Sequence, residues 1–219
     1  MLRSLVGSEM CIRDSYGTTN GAAMRITPVG IAADVARPET FLQAVVEACQ
    51  VTHNTSLGIA SAAAVAAVVS AGINGQPLAE ALALGVQVAR QAQAQGHWVA
   101  GATIGARLDW TGTLRVDGDR EGFARMLYEL IGTSVASQES VVVSFALARQ
   151  VALGQLPAFE ALCMAAGLGG DTDTIAAILG AMLGACLGME IWPGELIGQV
   201  RKVNELDLQP LVEQLLALR

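Results

Sequence analysis

Apolar positions of this chain fall into long blocks that are separated by short polar or glycine-rich breaks. Ala, Leu and Val dominate these blocks, while aromatic residues make up only 4% of the sequence. Small aliphatic side chains favour helices that pack closely, whereas sheets prefer β-branched and aromatic residues. No alternation of strand and helix patterns appears, and no repeat period stands out. The pattern therefore predicts an all-α protein.

Prolines, glycines and polar clusters mark where the predicted helices begin and end. Residues 16–30 are expected to form a structured loop or short helix, and residues 111–119 an irregular excursion. The length of 219 residues suits one large domain with a substantial core. The first long helix is expected over residues 38–50, and the second follows the break at 52–54 and ends at 71. Further helices are expected over residues 77–95, 102–109, 120–131, 138–153, 157–166, 172–189, 193–203 and 208–218.

The charge balance and the apolar runs limit the classes of partner. A net charge of −7 argues against nucleic-acid binding, which needs a basic surface. The longest uncharged apolar run, Leu57–Ile73, is interrupted by glycines and serines, and Ile175–Met189 is shorter than the roughly 20 residues that span a bilayer. We expect two buried helices of a soluble protein with no membrane association. The four cysteines show no close-spaced pairing, which indicates buried thiols in a reducing cytoplasm, Cys163 and Cys186 among them.

The first fifteen residues are set apart from the rest. Met1–Ser15 mixes charged residues without a helix or strand period. Met10–Ser15 resembles the translated transposon end used in sequencing-library preparation; the alternative is an ordinary short tail. We therefore expect residues 1–15 to be non-native, Cys11 included, and the domain to occupy residues 16–219.

The most informative motif is Gly169–Thr174, which runs directly into an apolar helix. Asp171 and Asp173 would point about 200° apart on a regular helix, so they converge only if Asp171 lies outside it. The preceding glycines permit the backbone angles that this requires. Two carboxylates and the Thr174 hydroxyl are hard oxygen donors that suit Mg²⁺, Mn²⁺ or Ca²⁺. The alternative is helix capping, for which Asp and Thr are also favoured.

Few other residues are candidates for catalysis or ligand binding. His53 stands between two predicted helices, where either a packing role or contact with a ligand is open. His97 is expected on the surface. Arg25 follows Asn20 and Gly21 in a largely uncharged loop, where its guanidinium could bind a phosphate or carboxylate or form a structural salt bridge.

Taken together, these segments resemble the ADP-ribosylglycohydrolase family. The resemblance covers nearly all of residues 16–219, and its glycine-aspartate motif combined with the Asn-Gly…Met-Arg loop is fairly specific. The matching stretches are Asn20–Gly30, Thr52–His53, Ser137–Ser140 before an apolar helix, Gly169–Thr174 followed by Ile175–Ala185, and Pro193 after that helix.

The resemblance implies an all-α, orthogonal multi-helix bundle with a binuclear Mg²⁺ or Mn²⁺ centre. Such a protein hydrolyses a glycosidic bond at the ribose of an ADP-ribosylated protein or a related compound. By matching motif, Asp171, Asp173 and Thr174 would bind the metal, and the two aspartates would be the catalytic carboxylates. The substrate-binding residues implied in the same way are Asn20, Gly21, Met24, Arg25 and His53.

One family feature has no counterpart in the sequence. Family members carry a Thr-Asp-Asp segment near the N-terminus that supplies the remaining metal ligands, and nothing in residues 1–36 matches it. The chain is therefore expected to hold the C-terminal two-thirds of the domain, with half a metal site and little or no activity. Missing helices would also leave apolar faces uncovered, so we expect instability or self-association.

Two other classes of protein remain as alternatives. A non-catalytic, crystallin-like or ADP-ribose-binding member of the same family would keep the fold but lose metal ligands, whereas Asp171, Asp173 and Thr174 are present here. A phosphoryl-transfer enzyme of the haloacid-dehalogenase type also uses an Asp-x-Asp motif. That motif should follow a strand, and here it follows a predicted helix.

Overall fold

A computed structural model of the chain describes residues 17–219, and within that range it contains helices and no strand. The all-α prediction is confirmed. The helices are α1 Gly21–Met24, α2 Thr27–Ala32, α3 Pro38–Cys49, α4 Ser56–Ile73, α5 Leu78–Ala92, α6 Ile104–Trp110, α7 Arg120–Met126, α8 Ser137–Ala152, α9 Ala158–Gly167, α10 Thr172–Leu187, α11 Gly194–Val203 and α12 Gln209–Ala217. Shorter turns are the 3₁₀ helices Thr111–Thr113 and Met189–Ile191 and the π-helix Leu127–Ile131. The prediction that residues 1–15 are non-native lies outside the described residues.

Helix α4 is the centre of the fold. Every residue from Ser56 to Ala71 is buried, and α5, α10, α2 and α1 pack around the helix. Its small side chains let neighbouring backbones approach closely: a Cβ atom at Gly30 would lie 2.9 Å from the Ala66 carbonyl oxygen. By length and composition α4 could cross a membrane, but 89% of it is buried inside the structure. The first of the two predicted buried helices is confirmed.

Local capping and glycine geometry explain where several helices begin and end. The Thr55 hydroxyl accepts the Gly58 amide at 3.0 Å and starts α4, and Asp119 accepts the Gly122 amide at 2.8 Å and starts α7. The predicted helix 120–131 continues past Met126 as the π-helix and ends at Gly132, whose φ is +90°. Helix α10 ends at Leu187, two residues before the predicted end, because Gly188 has a φ of +79°.

The last two helices lie on the outside of the bundle. Neither α11 nor α12 contains a buried residue. An apolar groove of about 700 Å³ runs beside them, lined by Phe159, Leu162, Met189, Trp192, Leu196 and Val200 among others. Helix α12 contacts α2, and the Arg219 guanidinium beyond it donates to the carbonyl oxygens of Gly30, Ile31 and Ala33.

The burial of the cysteines agrees only in part with the prediction. Cys49 is buried and Cys186 is half-buried, and burial raises the pKa of each thiol to about 11. Cys163 is exposed, so the prediction of a buried thiol there is wrong. Its neighbours in sequence are apolar, but on α9 only Ala161 and Ala165 are fully buried. Cys11 lies outside the described residues.

Candidate functional site

Two loops that are far apart in sequence meet through one side chain. The Asn20 amide donates to Asp171 Oδ2 at 2.5 Å, across 151 residues, and to Ser140 Oγ at 2.9 Å. Asn20 is only 5% exposed, so both amide protons are used inside the protein. The structure thus places the Asn-Gly loop against the glycine-aspartate loop.

The glycine-aspartate loop has a backbone that other residues would not adopt easily. Gly169 and Gly170 have φ values of +85° and +77°. A Cβ atom at Gly170 would lie 2.4 Å from the carbonyl oxygen of Thr133, and the amide of Asp171 donates to that same oxygen at 2.8 Å. This close approach fixes where Asp171 stands relative to α8 and its preceding loop.

Asp171 occupies the N-cap position of α10 but does not cap it. Its side chain makes no hydrogen bond to the helix amides and is instead held by Asn20. Asp173 lies in the first turn, is exposed, and accepts the amide of its neighbour Thr174 at 2.9 Å. The capping interpretation is therefore wrong for Asp171. The first aspartate lies outside the helix, as convergence of the two carboxylates requires.

Thr174 brings Met24 into the same region. Thr174 is 5% exposed, and its hydroxyl lies 3.7 Å from the Met24 sulfur. A thioether is a weak acceptor, so this buried hydroxyl has no strong partner among the described residues. The oxygens of Asp171 and Thr174 and the Met24 side chain thus border one region at the start of α10.

His53 is enclosed behind the Asn-Gly loop. It is 5% exposed, with Nε2 at 2.7 Å from Thr19 Oγ1 and Nδ1 at 2.7 Å from Thr52 Oγ1. A Cβ atom at Gly21 would lie 2.9 Å from the ring, so any larger residue there would force the ring to shift. Burial, followed by the nearby Arg25 charge, lowers the His53 pKa and keeps the ring neutral. Direct contact between His53 and a ligand stays a prediction.

Arg25 is bound to the protein through one end of its guanidinium. Its Nη2 atom donates to Thr52 Oγ1 at 2.6 Å and to the Ala48 carbonyl at 3.0 Å near the end of α3. Both partners are neutral, so these contacts are not a salt bridge. Binding of a ligand by Arg25 stays a prediction. His97 is exposed, as predicted.

Three residues that hold the site together were not among the predicted site residues. Ser140 accepts from Asn20, Thr19 contacts His53, and the Thr133 carbonyl accepts the Asp171 amide. The sequence signal for Ser140 is its place in the stretch 137–140, which is part of the resemblance, whereas its complete burial is known only from the structure. Thr133 offered no signal, because every residue has a backbone carbonyl.

The described residues offer only part of a metal ligand set. Within residues 17–219 no cluster of three or more His, Cys, Asp or Glu side chains could hold a metal ion. The candidate donors at the start of α10 are the two carboxylates and the Thr174 hydroxyl. Their oxygen chemistry fits Mg²⁺ or Mn²⁺, whose preferred ligands are carboxylates, hydroxyls and waters.

An all-α bundle with an aspartate pair at the start of a half-buried helix fits the class of protein that the sequence resembles, and comparison with known proteins agrees. The ADP-ribosylglycohydrolase family model matches residues 3–219, so the chain belongs to that family. It is similar to the uncharacterized protein YegU of Escherichia coli (strain K12), with 31% identity over 202 residues. That match covers 92% of this chain and 60% of the relative, so the chain spans about three fifths of the relative's length. The predicted family is confirmed.

Proposed function

We propose that this chain carries part of the active site of a metal-dependent glycosidase. The substrate is an ADP-ribosylated protein or a related ADP-ribosyl compound, and the bond hydrolysed is the glycosidic bond at the ribose. The observation that carries the proposal is the hydrogen bond between Asn20 and Asp171. It joins the two motifs of the family resemblance and turns the Asp171 carboxylate away from helix capping.

The proposal assigns the metal to Asp171, Asp173 and Thr174. A bound Mg²⁺ or Mn²⁺ ion would orient the ribose hydroxyls and lower the pKa of a bound water. Asn20 holds one carboxylate oxygen of Asp171, which leaves the other available and fixes its direction. The carboxylates stabilise the positive charge that develops on an oxocarbenium-like sugar.

Substrate contacts are assigned to the Asn-Gly loop. Met24 borders the region beside Thr174 and is 49% exposed, so its side chain is accessible to a ligand, and Gly21 lies in the same loop against the His53 ring. Asn20 and His53 are buried and support this loop from behind. Arg25 is exposed beside the loop, and its Nε and Nη1 atoms, which have no partner among residues 17–219, can attract a diphosphate.

We further propose that this polypeptide hydrolyses its substrate slowly or not at all. The sequence contains no Thr-Asp-Asp segment to complete a binuclear centre. Two carboxylates and one hydroxyl provide fewer oxygens than the six that Mg²⁺ requires, so waters must supply the rest. Weak metal binding with little turnover is the expected behaviour.

Metal titration tests the assignment. Mn²⁺ binding to the purified chain, followed by electron paramagnetic resonance, should weaken at least about tenfold in Asp171→Asn and Asp173→Asn. Asp207 lies in the exposed segment before α12, so Asp207→Asn is the matched control and should bind Mn²⁺ as tightly as the unaltered chain does.

Two outcomes would contradict the proposal. Unchanged Mn²⁺ affinity in Asp173→Asn would favour the non-catalytic, structural interpretation of this family member. Rapid release of ADP-ribose from a modified protein, by this chain with Mg²⁺, would overturn the proposed low activity while supporting the glycosidase class.

A further inference from the structure

The Arg219 side chain, which follows α12, lies between the ends of two other helices. It is only 13% exposed. Its Nη1 atom donates to the carbonyl oxygens of Gly30, Ile31 and Ala33 at 3.3, 3.0 and 3.0 Å, respectively. The first two are among the last carbonyls of α2, which have no partner within that helix. The C-terminus of a helix carries partial negative charge, so this end of α2 favours a cation.

The end of α4 supplies the other acceptors. Arg219 Nη2 donates to the carbonyl and hydroxyl oxygens of Ser70 at 3.0 Å each, and to Asn74 Oδ1 at 2.7 Å. It also forms an ion pair with Asp34 Oδ1 at 3.4 Å. Ser70 lies in the last turn of α4, and Asn74 directly follows the helix. Two helix C-termini and one carboxylate therefore surround a single guanidinium.

These acceptors are oriented by hydrogen bonds that do not involve the arginine. The fully buried Ser70 hydroxyl donates its proton to the Ala33 carbonyl at 2.9 Å and accepts from the Val35 amide at 2.9 Å. The Asn74 amide group donates to Asp34 Oδ1 at 2.9 Å, which turns its own oxygen toward the guanidinium. The acceptors are thus held in place by the bundle itself.

The polar attachment of the last two helices depends on this arginine. Among residues 17–219, every hydrogen bond and ion pair between the segment 189–219 and the rest of the chain involves Arg219. Helix α12 contains no buried residue, and a helix as short as this is marginal in water by itself. It also forms one wall of the apolar groove, through Gln209 and Val212.

We propose that the acceptors at the ends of α2 and α4 form a guanidinium-binding site, and that its occupation by Arg219 holds α12 on the bundle. The ligand class is an arginine side chain or another alkylguanidinium. Among protein side chains, a guanidinium offers the most N–H donors, arranged in a planar fork that reaches oxygens on two sides. A lysine ammonium has fewer donors and no such fork.

A small alkylguanidinium tests whether the site exists. In Arg219→Ala the emptied site should bind methylguanidinium, and millimolar methylguanidinium chloride should raise the melting temperature of this variant by about 2–4 °C. Methylammonium chloride at the same concentration should have no such effect. The unaltered chain should respond to neither salt, because Arg219 already fills the site. Equal responses of the two proteins, or equal responses to the two salts, would overturn the proposed site.

Amide exchange measured by NMR tests the docking of α12. Exchange of the α12 amides should be at least about tenfold faster in Arg219→Ala, the size expected when a hydrogen bond to a charged group is lost. Arg219→Lys should also exchange faster than the unaltered chain, since it keeps the charge without the fork. Methylguanidinium should not restore α12 in Arg219→Ala, because it fills the site without tethering the helix. Arg201→Ala removes an equal charge from the exposed end of α11 and is the control.

Two outcomes of the exchange experiment would contradict the proposal. Unchanged exchange of α12 in Arg219→Ala would overturn the role of the arginine in docking. The Val35 amide, which donates to Ser70, should stay protected in that variant, and its loss together with α12 would show that the site is not built before Arg219 binds. Neither result bears on the proposed glycosidase function, whose candidate residues lie away from the end of α4.

Discussion

At the residue scale, Asn20 determines whether the candidate site is assembled. Its two amide protons join helix α8, through Ser140, to the aspartate loop. No other residue type offers two such donors on so short a side chain, since Asp has none at neutral pH and Gln is longer by a methylene.

We expect Asn20→Ala to lower the free energy of unfolding by about 1–3 kcal/mol, because Ser140 loses its buried donor. Mn²⁺ affinity should fall about 10- to 100-fold once Asp171 is no longer oriented. Thermal melts and metal titration measure the two effects. Asn204→Ala, whose amide bonds only to the Val200 carbonyl on the surface, is the control. A loss of stability without a loss of metal affinity would contradict the orienting role of Asn20.

His53 gives the protein a pH dependence at the same scale. Its pKa in the folded state lies below its ordinary value of 6.5, chiefly because of burial and also because of Arg25. The unfolded chain therefore binds more protons than the folded chain as the pH falls below about 6.5. The contribution of His53 to stability is fully present above that pH and is lost as the pH falls through the folded pKa.

Melting temperatures measured from pH 7.5 down to 5 should decline, and His53→Gln should flatten that decline. His97→Gln should leave it unchanged, because His97 is exposed. Asp34, whose pKa is lowered mainly by a hydrogen bond from Asn74, affects stability only at more acidic pH. A decline that persists in His53→Gln would show that another group is responsible.

At the element scale, the loop before α10 depends on its glycines. Gly170 combines a φ of +77° with a contact that leaves no room for a side chain. The approach of this loop to Thr133 is what places the start of α10 beside α1.

Gly170→Ala is expected to destabilise the protein by more than about 2 kcal/mol, since the clash adds to the cost of a left-handed backbone. The control variant Gly75→Ala separates the cost of the left-handed backbone from the cost of the clash. Gly75 also has a positive φ, of +82°, but a Cβ atom there would meet nothing within 4 Å. That control should cost only about 1 kcal/mol. Equal losses in denaturant unfolding of the two variants would show that the Thr133 contact is unimportant.

At the scale of the whole molecule, the apolar side chains of the outer helices are insufficiently covered. Leu196, Val200 and Leu211 are 45%, 53% and 51% exposed, respectively, and the first two line the groove beside α11. Exposed apolar patches of this kind promote association.

We therefore expect the purified chain to self-associate as its concentration rises, as measured by sedimentation velocity. The double variant Leu196→Gln, Val200→Gln should reduce this association. Leu153→Gln, which removes an equally exposed leucine elsewhere, should not. A monodisperse monomer with a sharp melting transition would contradict the prediction.

Much of the fold follows from local sequence patterns. The proline at 38 and the Ala-rich run of α4 place helices to within a few residues, since propensity, capping and periodicity act between near neighbours. The π-helix Leu127–Ile131 was not predictable, because its apolar pattern equals that of an ordinary helix end. The exposure of Cys163 was likewise missed, since sequence gives the composition of a helix more readily than its orientation.

By itself, the sequence determined the helical class, the family, and the aspartates and glycines that form the candidate site. Only the tertiary structure decided which groups those residues meet: Asn20 for Asp171, and Thr19 and Thr52 for His53. Helix formation depends on residues three or four positions apart, whereas these partners are brought together by the packing of α1, α8 and α10 around α4. A hydrogen bond that spans 151 residues exists only after that packing is complete.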